Sequence, residues 1–171
     1  MKRKIGRILL MIPVCLILLL VGAILSKKAR AEEAAEKIKS LPRLVMSDIH
    51  GRAFNTDSLS GPLLITFFHP DCEHCQYEIS AILSNKQVNE KLTLVFVSHA
   101  GRTDIDSFVL QQGIAESKVM YIIHDPELRL NNLFRANVIP ANFIYDDSLR
   151  LVKVIKGSVR PDAILKYLKK Q

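Results

Sequence analysis

Two cysteines three residues apart, Cys72 and Cys75, stand directly after an apolar run at 63–68 and directly before a helix-like run at 76–83. Two thiols at a strand-to-helix junction suit a redox couple. Residues three apart on a helix are neighbours, so the pair can close a disulfide within one turn. Cys75, Ile79, Ile82 and Leu83 fall on one stripe of that helix, with Cys72 at its N-terminal tip. The spacing therefore predicts an exposed Cys72 and a sheltered Cys75. A helix N-terminus presents unpaired N–H groups and a partial positive charge that favour a thiolate, the nucleophile of disulfide exchange. On this reading Cys72 attacks and Cys75 resolves. The pair also suits half of a zinc knuckle, a structural disulfide or two small buried hydrophobes. No second C-x-x-C exists in the chain, which removes the commonest zinc arrangement.

The net charge of +7 invites a nucleic-acid reading that its distribution cancels. Lys2, Arg3, Lys4, Arg7, Lys27, Lys28 and Arg30 supply seven of the 24 basic residues, leaving 17 to balance 17 acidic ones. The excess flanks an apolar segment and stripes no domain, so no nucleic-acid partner is expected. That segment, residues 8–25, is an 18-residue run without a charge. As a helix it reaches roughly 27 Å, enough to span a bilayer. Pro13 sits where a membrane helix tolerates proline. Ala29-Arg30-Ala31 has the form of a signal cleavage site, but the basic cluster before it and the length of the run favour a retained anchor. Cys15 follows Val14 and not a small residue, which reads as a lipid-facing side chain and not a lipid-modified one. Four basic residues precede the run and three follow it, placing the N-terminus in the cytoplasm and the bulk of the chain outside. A disulfide couple belongs in such an oxidising compartment.

The expected organisation is a cytoplasmic tail at 1–7, a transmembrane helix at 8–25, a helical spacer at 26–41 rich in Ala, Glu and Lys, and a folded domain at 42–171. Within the domain, short strands at 43–46 and 51–54 flank a turn at Asp48-Ile49-His50-Gly51. Gly61-Pro62 introduces the strand that leads to the cysteines. Beyond the first helix come a strand at 92–98, a helix opened by Thr103-x-x-Asp106 and ending near Gly113, a strand at 118–123, and a helix start at Asp125-Pro126-Glu127. Strands at 141–145 and 151–155 follow, joined by a turn at Asp146-Asp147-Ser148. A last helix starts at Pro161 with Ile164, Leu165 and Leu168 facing inward. This alternation predicts an α/β domain with a mixed sheet covered on both faces.

One further residue completes a recognisable set: Pro140, in Val138-Ile139-Pro140-Ala141, just before a strand. With Cys72 and Cys75 at the strand-to-helix junction, this resembles the thioredoxin fold. Asp48-x-x-Gly51 followed by Leu59-x-Gly61-Pro62 makes it more specifically similar to the membrane-anchored TlpA and ResA-like, or redoxin-type, thiol-disulfide oxidoreductases of bacteria. The longer distance from Cys75 to Pro140, by roughly one βα unit, matches the insertion in that group. The resemblance implies that Cys72 is the nucleophile, Cys75 the resolving thiol, and Pro140 a cis-proline, with Ile139 before it lining the substrate groove. It implies no cofactor beyond the Cys72–Cys75 disulfide. Its implied partners are exported proteins carrying disulfides or thiols and a membrane electron donor, at the periplasmic face of the inner membrane. Two departures stand out. Asp71 replaces the usual Trp, and Thr66 occupies the position of thioredoxin's buried carboxylate, leaving Glu73 or a water as proton acceptor for Cys75. His69, three before Cys72, does not fit the peroxiredoxin motif.

A metal reading competes. His69, His99 and His124 each follow a strand, where ligands gather in a parallel α/β sheet, so they could join Cys72 and Cys75 around copper or zinc. The resemblance would then be to Sco-type copper chaperones, whose cysteines are spaced by three residues and not two. For redox direction, Asp71 and Glu73 flank Cys72 with negative charge, and His74 compensates only when protonated. These three residues would tune the couple toward reduction of its substrates.

Overall fold

The computed structural model describes residues 2–114 and 120–168, with side chains from Leu18 onward. The chain forms two compact units, Met1–Glu36 and Lys37–Gln171. The first is built from α1 (Lys2–Lys37), in which Leu18, Leu19, Leu20, Ile24 and Leu25 are exposed. Among the described residues no helix is long and apolar enough to cross a membrane. Residues 8–17 of the apolar run, with Pro13 and Cys15, lie outside the described side chains.

Helix α1 ends at Lys37, and the residues after it pack with the second unit. Ile38 is buried, Ser40 bridges Arg150, and the Leu41 amide donates to the Leu149 carbonyl at 2.9 Å. The second unit then runs β1 (Val45–Asp48), β2 (Ala53–Asn55), β3 (Leu63–Phe67), α2 (Glu73–Ser84), α3 (Lys86–Lys91), β4 (Thr93–Ser98), α4 (Arg102–Gln111), β5 (Met120–His124), α5 (Arg129–Phe134), β6 (Ala141–Tyr145), β7 (Leu151–Lys156) and α6 (Pro161–Leu168). Its seven strands form one sheet in the order β2-β1-β5-β4-β3-β6-β7. β3, β4 and β5 are parallel, and the remaining pairings are antiparallel.

The central strands are buried along their whole length and mostly apolar because both faces of the sheet are covered. Side chains alternate between the faces. Leu64, Phe68, Leu94, Phe96 and Ile144 pack with Cys75, Ile79 and Ile82 of α2, Phe108 of α4 and Ile164 of α6. Leu63, Ile65, Phe67, Val95 and Phe143 pack on the opposite face with Phe134 of α5 and with Ile38. Fully buried side chains of this size each contribute about 1.5–3 kcal/mol, which fixes the register of α2 against the sheet and so places Cys75 inside.

Several elements differ from their sequence expectations. Helix α4 is capped by Gly101, not by Thr103, whose carbonyl within the first turn accepts from Ser107 Oγ. Helix α5 starts four residues after Asp125, because the Asp125 carboxylate reaches forward to accept from the Arg129 and Asn131 amides. Helix α3 was not expected at all; Asn85 caps it, accepting from the Val88 amide. The first two strands lie about two residues later than expected. The Leu44 amide is taken by Thr56 Oγ1, outside the β1–β2 ladder.

The two hairpins share one device. Asp48 Oδ1 accepts from the amides of His50 and Arg52, and its other oxygen pairs with Arg52 Nε. Asp146 does the same with the Ser148 and Arg150 amides and Arg150 Nε. In each, the residue before the arginine has positive φ: Gly51 at 79° and Leu149 at 56°. Burial would raise the Asp146 carboxyl, but the bonds from Arg150 and Ser148 outweigh it and hold it below its ordinary 3.8. Such a lowered carboxyl stabilises the fold above its ordinary value, and that contribution is lost as pH falls through the folded value. Asp146→Ala is expected to cost about 2 kcal/mol, with the deficit shrinking in acid. Urea unfolding at neutral pH and below pH 4 reads both effects. Gly61, beside this turn, is required for another reason: a Cβ there would stand 2.1 Å from the Asp146 carbonyl oxygen.

Candidate active site

Strand β3 delivers the chain to the short loop 68–71, and α2 begins at once. Cys72 is the N-cap, with extended backbone (φ −86°, ψ 105°), and its Sγ accepts from the Cys75 amide at 3.3 Å. The loop is closed by the Cys72 amide donating to the His69 carbonyl at 3.0 Å and by Gln76 Nε2 donating to the Pro70 carbonyl. Cys72 is half-buried and Cys75 is 0% exposed; both are free thiols. One sulfur therefore meets solvent at a helix N-terminus while the other waits behind it.

Pro140 follows a cis peptide from Ile139. The β3–β6 register sets Phe67 opposite Ala141, so Pro140 lies beside the start of the cysteine loop. Ile139 is half-buried and Val138 is 52% exposed. Asp71, Glu73 and His74 are all exposed. Charges in that position are screened by water and salt, so their influence on Cys72 is weaker than adjacency in sequence suggests.

The buried acid of α2 is Glu78, 4% exposed and one helical turn beyond Cys75. Its Oε1 accepts from Asn142 Nδ2 at 2.8 Å and its Oε2 from the Val159 amide. Burial pushes the Glu78 carboxyl up, against the lowering effect of those two bonds. Burial, then the hydrogen bond with Cys72 and the charges of Cys72 and Glu78, pushes the Cys75 thiol up to about 12, against a backbone bond from His69. Of the two acids on this helix, Glu73, expected with water as the acceptor for Cys75, faces solvent, and Glu78 is the buried one. Its signal was in the sequence, as the one acid on the stripe Cys75, Ile79, Ile82.

The three histidines do not converge. His69 and His99 have ring centroids 5.4 Å apart, and His69 Nδ1 accepts from the Asp71 amide. His124, at the end of β5, lines a separate cleft of about 310 Å³ with Arg102, Glu127 and Arg129. Among the described residues no group of three His, Cys, Asp or Glu is placed to hold a metal.

No protein-family model and no curated protein matches the chain. Solved structures do. A secreted Mycobacterium tuberculosis disulfide oxidoreductase homologous to E. coli DsbE superposes with a TM-score of 0.64 at 16% identity, covering 80% of this chain and 98% of that one. StoA from Bacillus subtilis gives 0.60 at 15% identity over 75% and 98% of the two chains. The domain has the thioredoxin fold. A thiol:disulfide interchange protein of the thioredoxin family from Chlorobium tepidum gives 0.61 at 21% identity over 77% and 94%. In this fold Cys72 and Cys75 follow β3, and the cis peptide of Pro140 precedes its neighbour β6 at the same end of the sheet.

Proposed function

We propose that the chain is a membrane-anchored thiol-disulfide oxidoreductase that reduces disulfides of exported proteins. The observation that carries this reading is the half-buried Cys72 at a helix N-terminus, backed by a fully buried Cys75 and by Glu78. The Cys72 thiolate attacks one sulfur of a substrate disulfide; the S–S bond breaks, a mixed disulfide forms, and one substrate thiolate leaves. Glu78 takes the Cys75 proton. The new thiolate attacks Cys72 Sγ, closing the Cys72–Cys75 disulfide and releasing the second substrate sulfur as a thiolate, which takes up a proton from Glu78 or solvent. The substrate gains two electrons and the pair loses two, which a dithiol electron donor at the membrane must return. The uncharged run at 8–25, with its flanking basic residues, supports an inner-membrane anchor with the domain outside.

The buried residues support this direction. A couple is oxidising when its reduced thiolate is stabilised, and here burial disfavours the Cys75 thiolate. The midpoint is expected nearer thioredoxin at about −270 mV than a strong oxidant at about −120 mV. Equilibration of the full-length protein against a dithiol buffer series, with thiols counted at each step, tests it. A midpoint more positive than about −180 mV would reverse the direction to oxidase, and the absence of any reversible pair would remove the function.

A further inference from the structure

Between α2 and the sheet lies a directed chain of three buried polar side chains. Thr66 and Asn142 are register partners on β3 and β6. Thr66 Oγ1 donates to Asn142 Oδ1 at 2.8 Å, and Asn142 Nδ2 donates to Glu78 Oε1 at 2.8 Å. Thr66 and Asn142 are both 0% exposed, and no buried side-chain polar atom among the described residues lacks a partner. Burying an amide and a hydroxyl in an otherwise apolar layer costs stability unless each bond is made. An asparagine amide has two ends of opposite character: the oxygen only accepts and the nitrogen only donates. With its oxygen engaged by the Thr66 hydroxyl, the amide must turn its N–H toward Glu78. An N–H facing a carboxylate favours the ionised form; the oxygen facing it would favour the protonated form.

We propose that Thr66 and Asn142 are positioning residues for the thiol chemistry: the Thr66 hydroxyl fixes the Asn142 amide so that it holds Glu78 ionised and ready to take the Cys75 proton. This rests on Glu78 being that proton acceptor. Strand β3 contacts the acid of α2 through Asn142. Burial raises the Glu78 carboxyl, and the bond from Asn142 works against that. The titratable group that feels the Glu78 charge is Cys75 on its own helix, with Cys72 beyond it. From β3 and β6 it is faced by the neutral Thr66 and Asn142, and from the loop after β7 by the Val159 amide.

The resolving step can be followed without a protein substrate. In the full-length chain carrying Cys15→Ser, an aromatic disulfide reagent forms a mixed disulfide with Cys72 and releases one coloured thiolate. Attack by Cys75 then releases the second. The rate of the second release is measured against pH. Thr66→Val is expected to move the inflection upward by about one pH unit, a tenfold change in the carboxyl equilibrium. Thr66→Ser, which keeps the hydroxyl, retains the original inflection, and Glu78→Gln has none. An unmoved inflection in Thr66→Val, with its loss in Glu78→Gln, overturns the positioning role and leaves Glu78 as the acceptor. An inflection that persists in Glu78→Gln overturns that acceptor and the positioning role with it. Should Thr66→Val not fold, Asn142→Asp sets a second carboxyl against Glu78 and must raise the inflection further; an unchanged value there overturns the proposal equally.

Discussion

Cys72→Ser is expected to lower disulfide reductase turnover by on the order of 10³-fold or more, because a hydroxyl supplies no competent nucleophile at neutral pH. The prediction follows from exposure: Cys75 is fully buried behind Cys72 and cannot meet a protein substrate in its place. Cys75→Ser should behave differently. The first attack still occurs, but nothing resolves it, so the chain accumulates as a covalent mixed disulfide with its substrate. Insulin reduction, followed by non-reducing electrophoresis of each variant, separates the two outcomes. Normal turnover in Cys72→Ser would show that the pair is structural.

Glu78→Gln is expected to slow resolution by about 10²-fold to 10⁴-fold, the range typical of a positioned general base. The physical reason is that Cys75, its thiol pushed up to about 12, is almost entirely protonated at neutral pH and needs an acceptor within the dry layer under α2. Removing the acceptor leaves hydroxide as the base. The deficit should therefore shrink as pH rises, while the first attack by Cys72 keeps its rate. Glutamine has a single acceptor oxygen where Glu78 takes two N–H bonds, from Asn142 and Val159, so some loss of stability accompanies the change. Single-turnover kinetics separate that loss from catalysis, because only the resolving phase should slow. Equal slowing of both phases would assign Glu78 a structural part alone.

Exposure also decides how the charges near Cys72 are weighed. Asp71, Glu73 and His74 are its neighbours in sequence, but all three are solvated, whereas Glu78 is six positions away and buried. Coulomb interactions grow as the medium between charges becomes less polar, and the buried Glu78 charge falls on the buried Cys75, whereas the adjacent charges are screened by solvent. The histidines are also divided: His69 and His99 are neighbours beyond β3 and β4, and His124 lines the cleft beside β1.

The sequence alone determined the strand-to-helix junction, the exposed and sheltered roles of Cys72 and Cys75, and the mixed α/β class. Those depend on apolar periodicity and on contacts within one helical turn, which are local and therefore written in adjacent residues. Helix boundaries were less legible where a cap acts at a distance, as Asp125 does on the Arg129 and Asn131 amides. Only the tertiary structure decided what surrounds Glu78. Asn142 is 64 residues from Glu78 and 76 from Thr66, and the antiparallel register of β3 with β6 brings the three side chains together. A buried polar group is stable only with its partners made, and partners so far apart in the chain are set by strand pairing and not by any local pattern.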